Sequence, residues 1–247
     1  MFAYWNNSYY LVVILQVIAI IHALRTGRSN WLYLLIFLPL VGVLVYFFME
    51  VLPEIRTGAF MPNFRKVFMP GAQIHEWERK VRMSDTVSNR VQLSRAYAEA
   101  GQWGKAIELT KSALTGMYAN DPGILLQLAR QYFGNAQYAE SLQYFDKLKT
   151  MKTGRINMAE DDLVYTRALD GAGQKEKAEE GYQQIIRVHH SLEARYYYGL
   201  FLKKQGRSAE AKAQFQAVRE DIRELPRFAR RLNAQWARKS FTEMMSK

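Results

Sequence analysis

The stretch that decides the fold is VQLSRAYAEAGQWGKAIE, residues 91–108, because its pattern returns three times further along. It reappears as ILLQLARQYFGNAQYAESLQYF at 124–145, LVYTRALDGAGQKEKAEEGY at 163–182 and ARYYYGLFLKKQGRSAEAKAQF at 194–215. Large apolar residues stand at Leu93, Leu128, Tyr165 and Tyr198, each followed by a small one: Ser94, Ala129, Thr166 and Gly199. Tyr97, Tyr132, Leu169 and Leu202 come next, then a turn with Gly101, Ala136, Gly173 and Gly206. The second half of each unit carries Ala106, Ser141, Ala178 and Ala211, spaced 35, 37 and 33 residues apart. Small side chains let paired helices approach, and the large neighbours fill the gaps. Each unit buries its apolar face only against the next, so the units must stack.

These residues resemble the tetratricopeptide repeat, a helix-turn-helix unit of about 34 residues, over roughly Val87 to Arg223. The sequence departs from that family where Thr110 replaces a usual aromatic and where the loop Lys152–Glu160 is expanded. A generic helical bundle stays open as an alternative. The expected fold class is therefore all-α, with an α-solenoid of tetratricopeptide-like repeats over 83–225. A basic capping helix is expected over 226–247, with Pro226 starting it and Phe228, Leu232 and Trp236 closing the last repeat as an apolar stripe.

Working outward, the front of the chain has a different character. There is no charged residue from Met1 to Leu24 or from Ser29 to Met49, and net charge divides as +3 before residue 73 and +8 after it. Runs of this kind predict a transmembrane helical hairpin over 1–52, joined by a juxtamembrane linker over 53–82. A cleaved signal peptide fits poorly, since no basic region precedes the apolar run and no A-x-A-like site follows; a buried helical hairpin is the other alternative. His22 to Phe48, with Trp31, FLPLVG and Tyr46, resembles the two-helix N-terminal domain of bacterial cardiolipin synthases. That resemblance implies an anchor built on Trp31, Pro39, Gly42 and Tyr46 in a bacterial inner (cytoplasmic) membrane. Pro39 and Gly42 are expected to kink the second helix and let the first approach. The repeats are expected on the cytoplasmic side, the lean resting on Arg65 and Lys66 beyond the second span.

Chemistry is excluded more firmly than it is suggested. The chain of 247 residues has no cysteine, so it holds no disulfide, thiolate metal site or thiol nucleophile. None of His22, His75, His189 and His190 is followed two residues later by Lys, so the H-x-K-x4-D motif of cardiolipin synthases is absent. No phosphate-binding loop, H-E-x-x-H or G-x-S-x-G occurs either. His189 and Glu193 could share a helix face, but two ligands make no zinc site. The expectation is a non-enzymatic protein without cofactor or metal.

One column carries a binding hypothesis. Arg95, Arg130 and Arg167 each follow an apolar anchor by two residues, a step of about 200° on a helix. In tetratricopeptide domains the corresponding face lines a concave groove, so the resemblance implies a guanidinium ladder flanked by Gln92, Gln127 and Tyr197. The expected ligand is a protein partner's acidic peptide or C-terminus, since guanidinium matches carboxylate geometry. The competing reading pairs each arginine with a carboxylate of a neighbouring repeat, for instance Glu99 or Asp170. Arg65, Lys66, Arg227, Arg230 and Arg231 form a second candidate, docking to an acidic surface such as anionic membrane lipid. With a net charge of +11, nucleic acid is considered, but 21 acidic residues are interspersed after residue 72 and no recognised motif occurs. The function expected is a membrane-anchored scaffold or adaptor. The alternative is a regulatory subunit whose hairpin associates with an integral membrane enzyme or transporter.

Overall fold

The computed structural model describes residues 2–56, 70–151 and 159–246. Every regular element among them is helical, and the chain divides into two compact units at Arg79/Lys80.

In the first unit, α1 spans Phe2–Arg25, followed by α2 (Leu32–Phe37), α3 (Pro39–Tyr46) and α4 (Leu52–Arg56). A π-helical segment, Phe47–Val51, lies between α3 and α4. The apolar run from Trp31 to Met49 is thus not one helix. Proline cannot continue the α2 hydrogen-bond ladder, and Leu38 leaves helical geometry at φ −129°, ψ 72°. At about 1.5 Å per residue, helices of six and eight residues rise about 9 and 12 Å, against the ~30 Å of a hydrocarbon core. Among the described residues no helix is long and apolar enough to cross a membrane. This overturns the expected two-pass transmembrane hairpin and the inner-membrane localisation that rested on it.

The residues assigned to that anchor have local structural roles instead. Tyr46 is buried with Ala19, Ala23 and Leu35, and its hydroxyl lies 2.6 Å from His22 Nδ1. Trp31 Nε1 donates to Glu50 Oε1 at 3.1 Å, beside an Arg28–Glu50 ion pair at 3.0 Å. Gln16 Nε2 donates to the Leu35 carbonyl at 2.8 Å, so Gln16 and His22 of α1 both make tertiary bonds. Pro39 does interrupt the helix, as expected, but Gly42 admits α2 rather than α1: a Cβ there would stand 2.4 Å from the Leu34 carbonyl oxygen. Ile14, Val17, Phe37, Leu40, Leu44 and Phe48 remain exposed.

Helix α5 (Pro70–Met83) leads into the repeats. The second unit contains four helix pairs: α6 (Val87–Glu99) with α7 (Trp103–Ala113), α8 (Pro122–Gly134) with α9 (Tyr138–Thr150), α10 (Ala159–Gly171) with α11 (Lys175–His189), and α12 (Leu192–Lys204) with α13 (Ser208–Glu224). Thr86, Asp121 and Ser191 cap α6, α8 and α12, each accepting from the amide three residues on. Within each pair the turn residue takes a left-handed conformation: φ is 74° at Gly101, 58° at Ala136, 79° at Gly173 and 78° at Gly206. This is a tetratricopeptide-like solenoid, as the repeat pattern predicts.

The repeat columns become the packing. Ala106, Ser141, Ala178 and Ala211 are all buried, and one turn later stand Thr110, Phe145, Tyr182 and Phe215, also buried. Where α7 offers Thr110 in place of an aromatic ring, glutamines of the next pair enter. Thr110 Oγ1 donates to Gln131 Oε1 at 2.8 Å, and Gln131 Nε2 donates to Ser94 Oγ at 2.7 Å. Gln127 Nε2 adds bonds to the Val91 carbonyl and Ser94 Oγ, both at 3.2 Å. The first and second pairs are therefore joined by a buried polar seam, while the third and fourth are joined by Tyr182, Tyr198, Phe201 and Phe215. A polar cluster of this kind is tolerated because its members satisfy one another.

The last helix, α14 (Arg227–Met245), caps the stack in a different register from the one expected. Trp236 is buried, 5.5 Å from the ring of Tyr196, but Phe228 and Leu232 are 74% and 63% exposed. The inward stripe runs through Trp236, Ala237, Ser240 and Met244. Residues four apart step about 40° round a helix, so with Trp236 seated inward, Ser240 and Met244 turn to one side of it and Leu232 and Phe228 to the other. Phe228 and Leu232 are carried to the outside.

Candidate functional site

The first helices of the pairs, α6, α8, α10 and α12, supply the arginine column. Arg95, on α6, is exposed, and its Nε donates to Gln127 Oε1 at 2.7 Å. Both line a cavity of about 520 Å³ between α6 and α8, together with Trp103, Leu126 and Arg130. Further along, Arg167 on α10 lies between two aromatic faces, 3.9 Å from the Tyr197 ring centroid and 4.9 Å from that of Phe133. It lines a second cavity, of about 260 Å³, with Tyr138, Tyr197 and Lys204. Arg95 and Tyr197 thus belong to different cavities, and the column is divided between them.

The three arginines are not equivalent. Arg130 Nε donates to Asp161 Oδ1 at 2.6 Å, and its terminal nitrogen lies 2.5 Å from the same oxygen. Asp161 is almost wholly buried in the first turn of α10, so this pair ties the second repeat to the third. The expectation of internal pairing holds here, with Asp161 as the partner rather than Glu99 or Asp170; Asp170 instead receives Lys204 at 3.0 Å. Arg95 and Arg167 are held by a neutral amide and by ring faces. Among the described residues neither forms an ion pair with a carboxylate.

One assignment needs correcting, that of His189 and Glu193 to a single helix face. Gln127 both belongs to the buried polar seam and lines the first cavity, where its Oε1 accepts from Arg95. Gln92 is half-buried on α6. His189 ends α11, whereas Glu193 lies in the first turn of α12. They cannot share a helix face, because His190 breaks the chain direction at φ 48°. Among the described residues no group of three or more potential ligands could hold a metal ion. Arg227, Arg230 and Arg231 are exposed on α14, and Arg65 and Lys66 lie outside the described residues.

Sequence reasoning missed the aromatic support of Arg167 and the carboxylate behind Arg130. A signal for the first existed: Phe133, Arg167 and Tyr197 occur on three successive first helices. The acidic cluster Glu160-Asp161-Asp162 reads as a helix start and hides that one of the three turns inward.

No family model and no curated protein matches the chain, so the likeness of its N-terminal part to cardiolipin synthases finds no support. Solved structures do match. MamA from Desulfovibrio magneticus RS-1, residue 41 to its end, is 16% identical over 68% of this chain and 88% of that chain, with a TM-score of 0.53. A double mutant of MamA from RS-1 gives 16%, 68%, 88% and 0.52. At such identity the likeness shows the helical-repeat fold alone.

Proposed function

We propose that this chain is a non-enzymatic adaptor that captures an acidic segment or free C-terminus of a partner protein along the face built by α6, α8, α10 and α12. The observation that carries the reading is the setting of Arg95 and Arg167. Each lines a cavity, each is oriented by a neutral or aromatic neighbour, and among the described residues neither is ion-paired, although Glu99 shares the cavity of Arg95 and Glu193 feels the charge of Arg167 at longer range. A guanidinium already held in place loses little freedom when a carboxylate arrives. A charge-assisted hydrogen bond of this kind contributes about 1.5–3 kcal/mol. Arg130, which also lines the first cavity, is spent on Asp161 and ties α8 to α10. The apolar area of Trp103 and Leu126 beside Arg95, and the rings beside Arg167, suit a peptide whose acidic groups alternate with apolar ones.

The test is fluorescence anisotropy of the full chain with a labelled Glu/Asp-rich peptide, a neutral Gln/Asn counterpart and a C-terminally amidated version. Binding of the acidic peptide should exceed that of the neutral one and weaken with salt. The double substitution Arg95→Ala/Arg167→Ala should reduce it by about tenfold or more without changing the circular dichroism melt. Equal binding of acidic and neutral peptides, or an unaffected double variant, would refute the reading. Loss on amidation alone would assign the carboxylate to the partner's C-terminus.

A further inference from the structure

The two arginines without a carboxylate partner do not stand on neighbouring helices. Helix α8 packs against both α6 and α10, so the first helices of successive pairs lie side by side like rungs. Arg95, Arg130 and Arg167 stand on consecutive rungs. The middle one is occupied: Arg130 Nε donates to Asp161 Oδ1 at 2.6 Å, and the Asp161 side chain is 3% exposed. A carboxylate arriving at this rung meets the charge of Asp161 as well as the guanidinium, and repulsion offsets attraction. The flanking rungs differ. Arg95 is held by the neutral Gln127 amide oxygen at 2.7 Å, and Arg167 by the rings of Tyr197 and Phe133, 3.9 and 4.9 Å to their centroids. Asp170, which shares the cavity of Arg167, receives Lys204 at 3.0 Å.

We propose that, within the adaptor reading on which this rests, Asp161 sets the spacing that the arginine face reads. With the middle rung blanked, the preferred partner segment carries two acidic side chains about six residues apart in an extended chain. Packed helices lie about 8–10 Å apart, so two rungs separate Arg95 from Arg167 by roughly 16–20 Å. An extended chain rises about 3.3 Å per residue and turns alternate side chains to opposite faces. Residues i and i+6 therefore share a face and stand about 20 Å apart, enough to reach both open rungs. Residues i and i+2, about 7 Å apart, engage one rung only, and residues i and i+10, about 33 Å apart, overshoot the second. Once one carboxylate is bound, the second contact is intramolecular, so a matched spacing adds its gain to that of the first.

The experiment measures fluorescence anisotropy of the full chain with three labelled peptides of one composition. Each is blocked at both termini and neutral but for two glutamates, placed two, six or ten residues apart. The Glu/Asp-rich peptide of the adaptor test runs beside them. The spacing of six should bind about tenfold tighter than either other, and Arg95→Gln or Arg167→Gln should each erase that margin. Asp161→Asn gives Arg130 the kind of neutral amide partner that Arg95 has, so in that variant the spacing of two should gain several-fold. Equal binding of the three spacings, or a tightest ligand at two or ten, overturns the proposal and leaves the adaptor reading standing if the Glu/Asp-rich peptide binds. Failure of all four peptides overturns both. An Asp161→Asn chain that keeps its circular dichroism spectrum and an unchanged order of spacings also overturns the proposal. If that variant loses its fold, the spacing series on the unsubstituted chain decides alone.

Discussion

Replacing Ala136 by glycine should stabilise the protein. Ala136 occupies the inter-helix turn at φ 58°, where the other three pairs carry glycine. An L side chain in the left-handed region costs roughly 1–2 kcal/mol, from the approach of Cβ to the following carbonyl oxygen. Glycine regains that but loses roughly 0.4–1 kcal/mol to the greater freedom of its unfolded chain. The difference leaves about 0.5–1 kcal/mol in favour of Ala136→Gly, or roughly 2–3 °C in melting temperature for a chain of this size. The Ala136 methyl is exposed, so its removal opens no cavity. The turn is held by its backbone, Ala136 N–H to the Phe133 carbonyl at 3.0 Å and Gln137 N–H to the Tyr132 carbonyl at 2.9 Å. Both bonds survive the change. The assay is urea unfolding followed by far-UV circular dichroism, with the midpoint rising and the slope unchanged. Gly173→Ala is the mirror experiment. Nothing lies within 4 Å of the Cβ it would add, so its cost comes from backbone conformation alone. If Ala136→Gly lowers the midpoint, or Gly173→Ala leaves it unmoved, the argument from backbone strain fails.

Three further outcomes follow from the packing and electrostatics. Arg130→Ala should cost about 2 kcal/mol or more, because it strands the buried Asp161 carboxyl; Arg95→Ala should cost less than about 1 kcal/mol, since Gln127 keeps its other bonds, and calorimetric melts of the two separate these roles. Gly199→Ala should destabilise by about 1–3 kcal/mol, because its Cβ would stand 2.5 Å from the Phe215 ring, and a compensating Phe215→Leu should recover part of the loss in the same melt. Burial and the bond to Asp146 push Tyr165 up to about 12, so the folded state keeps a proton that the unfolded state releases from its ordinary value near 10; stability should fall as pH rises through that window, and ultraviolet titration should show a late-ionising tyrosine that Tyr165→Phe removes.

Much of the second unit is legible from single columns. The left-handed turn at Gly101, Gly173 and Gly206 is a backbone demand that glycine answers locally. The small-then-large alternation answers a contact between adjacent helices, and that contact recurs wherever the unit does. The capping helix was harder to read. Both Phe228 and Trp236 look like core residues, and only the seating of Trp236 against Tyr196 and Tyr197 shows that Phe228 faces out. The front of the chain misled for a related reason. Hydropathy registers that Trp31 to Met49 is uncharged, but not that Leu38 leaves helical geometry and splits the run into pieces too short to span a bilayer.

The arginine column divides along the same line. Spacing alone places Arg95, Arg130 and Arg167 on equivalent surfaces of successive helices, since periodicity depends only on residues per turn. Which of them keeps its charge available depends on what the next repeat offers across the gap: an amide for Arg95, a buried carboxylate for Arg130, ring faces for Arg167. The sequence by itself therefore determined the helix pairs, their turns and the recurrence that makes them stack, because these arise from interactions between near neighbours. The tertiary structure decided which arginines are neutralised, where the cavities open and which face of the cap is hidden. Those outcomes depend on contacts across 30 or more residues of chain, as Arg130 to Asp161 shows at a separation of 31, and no local pattern encodes them.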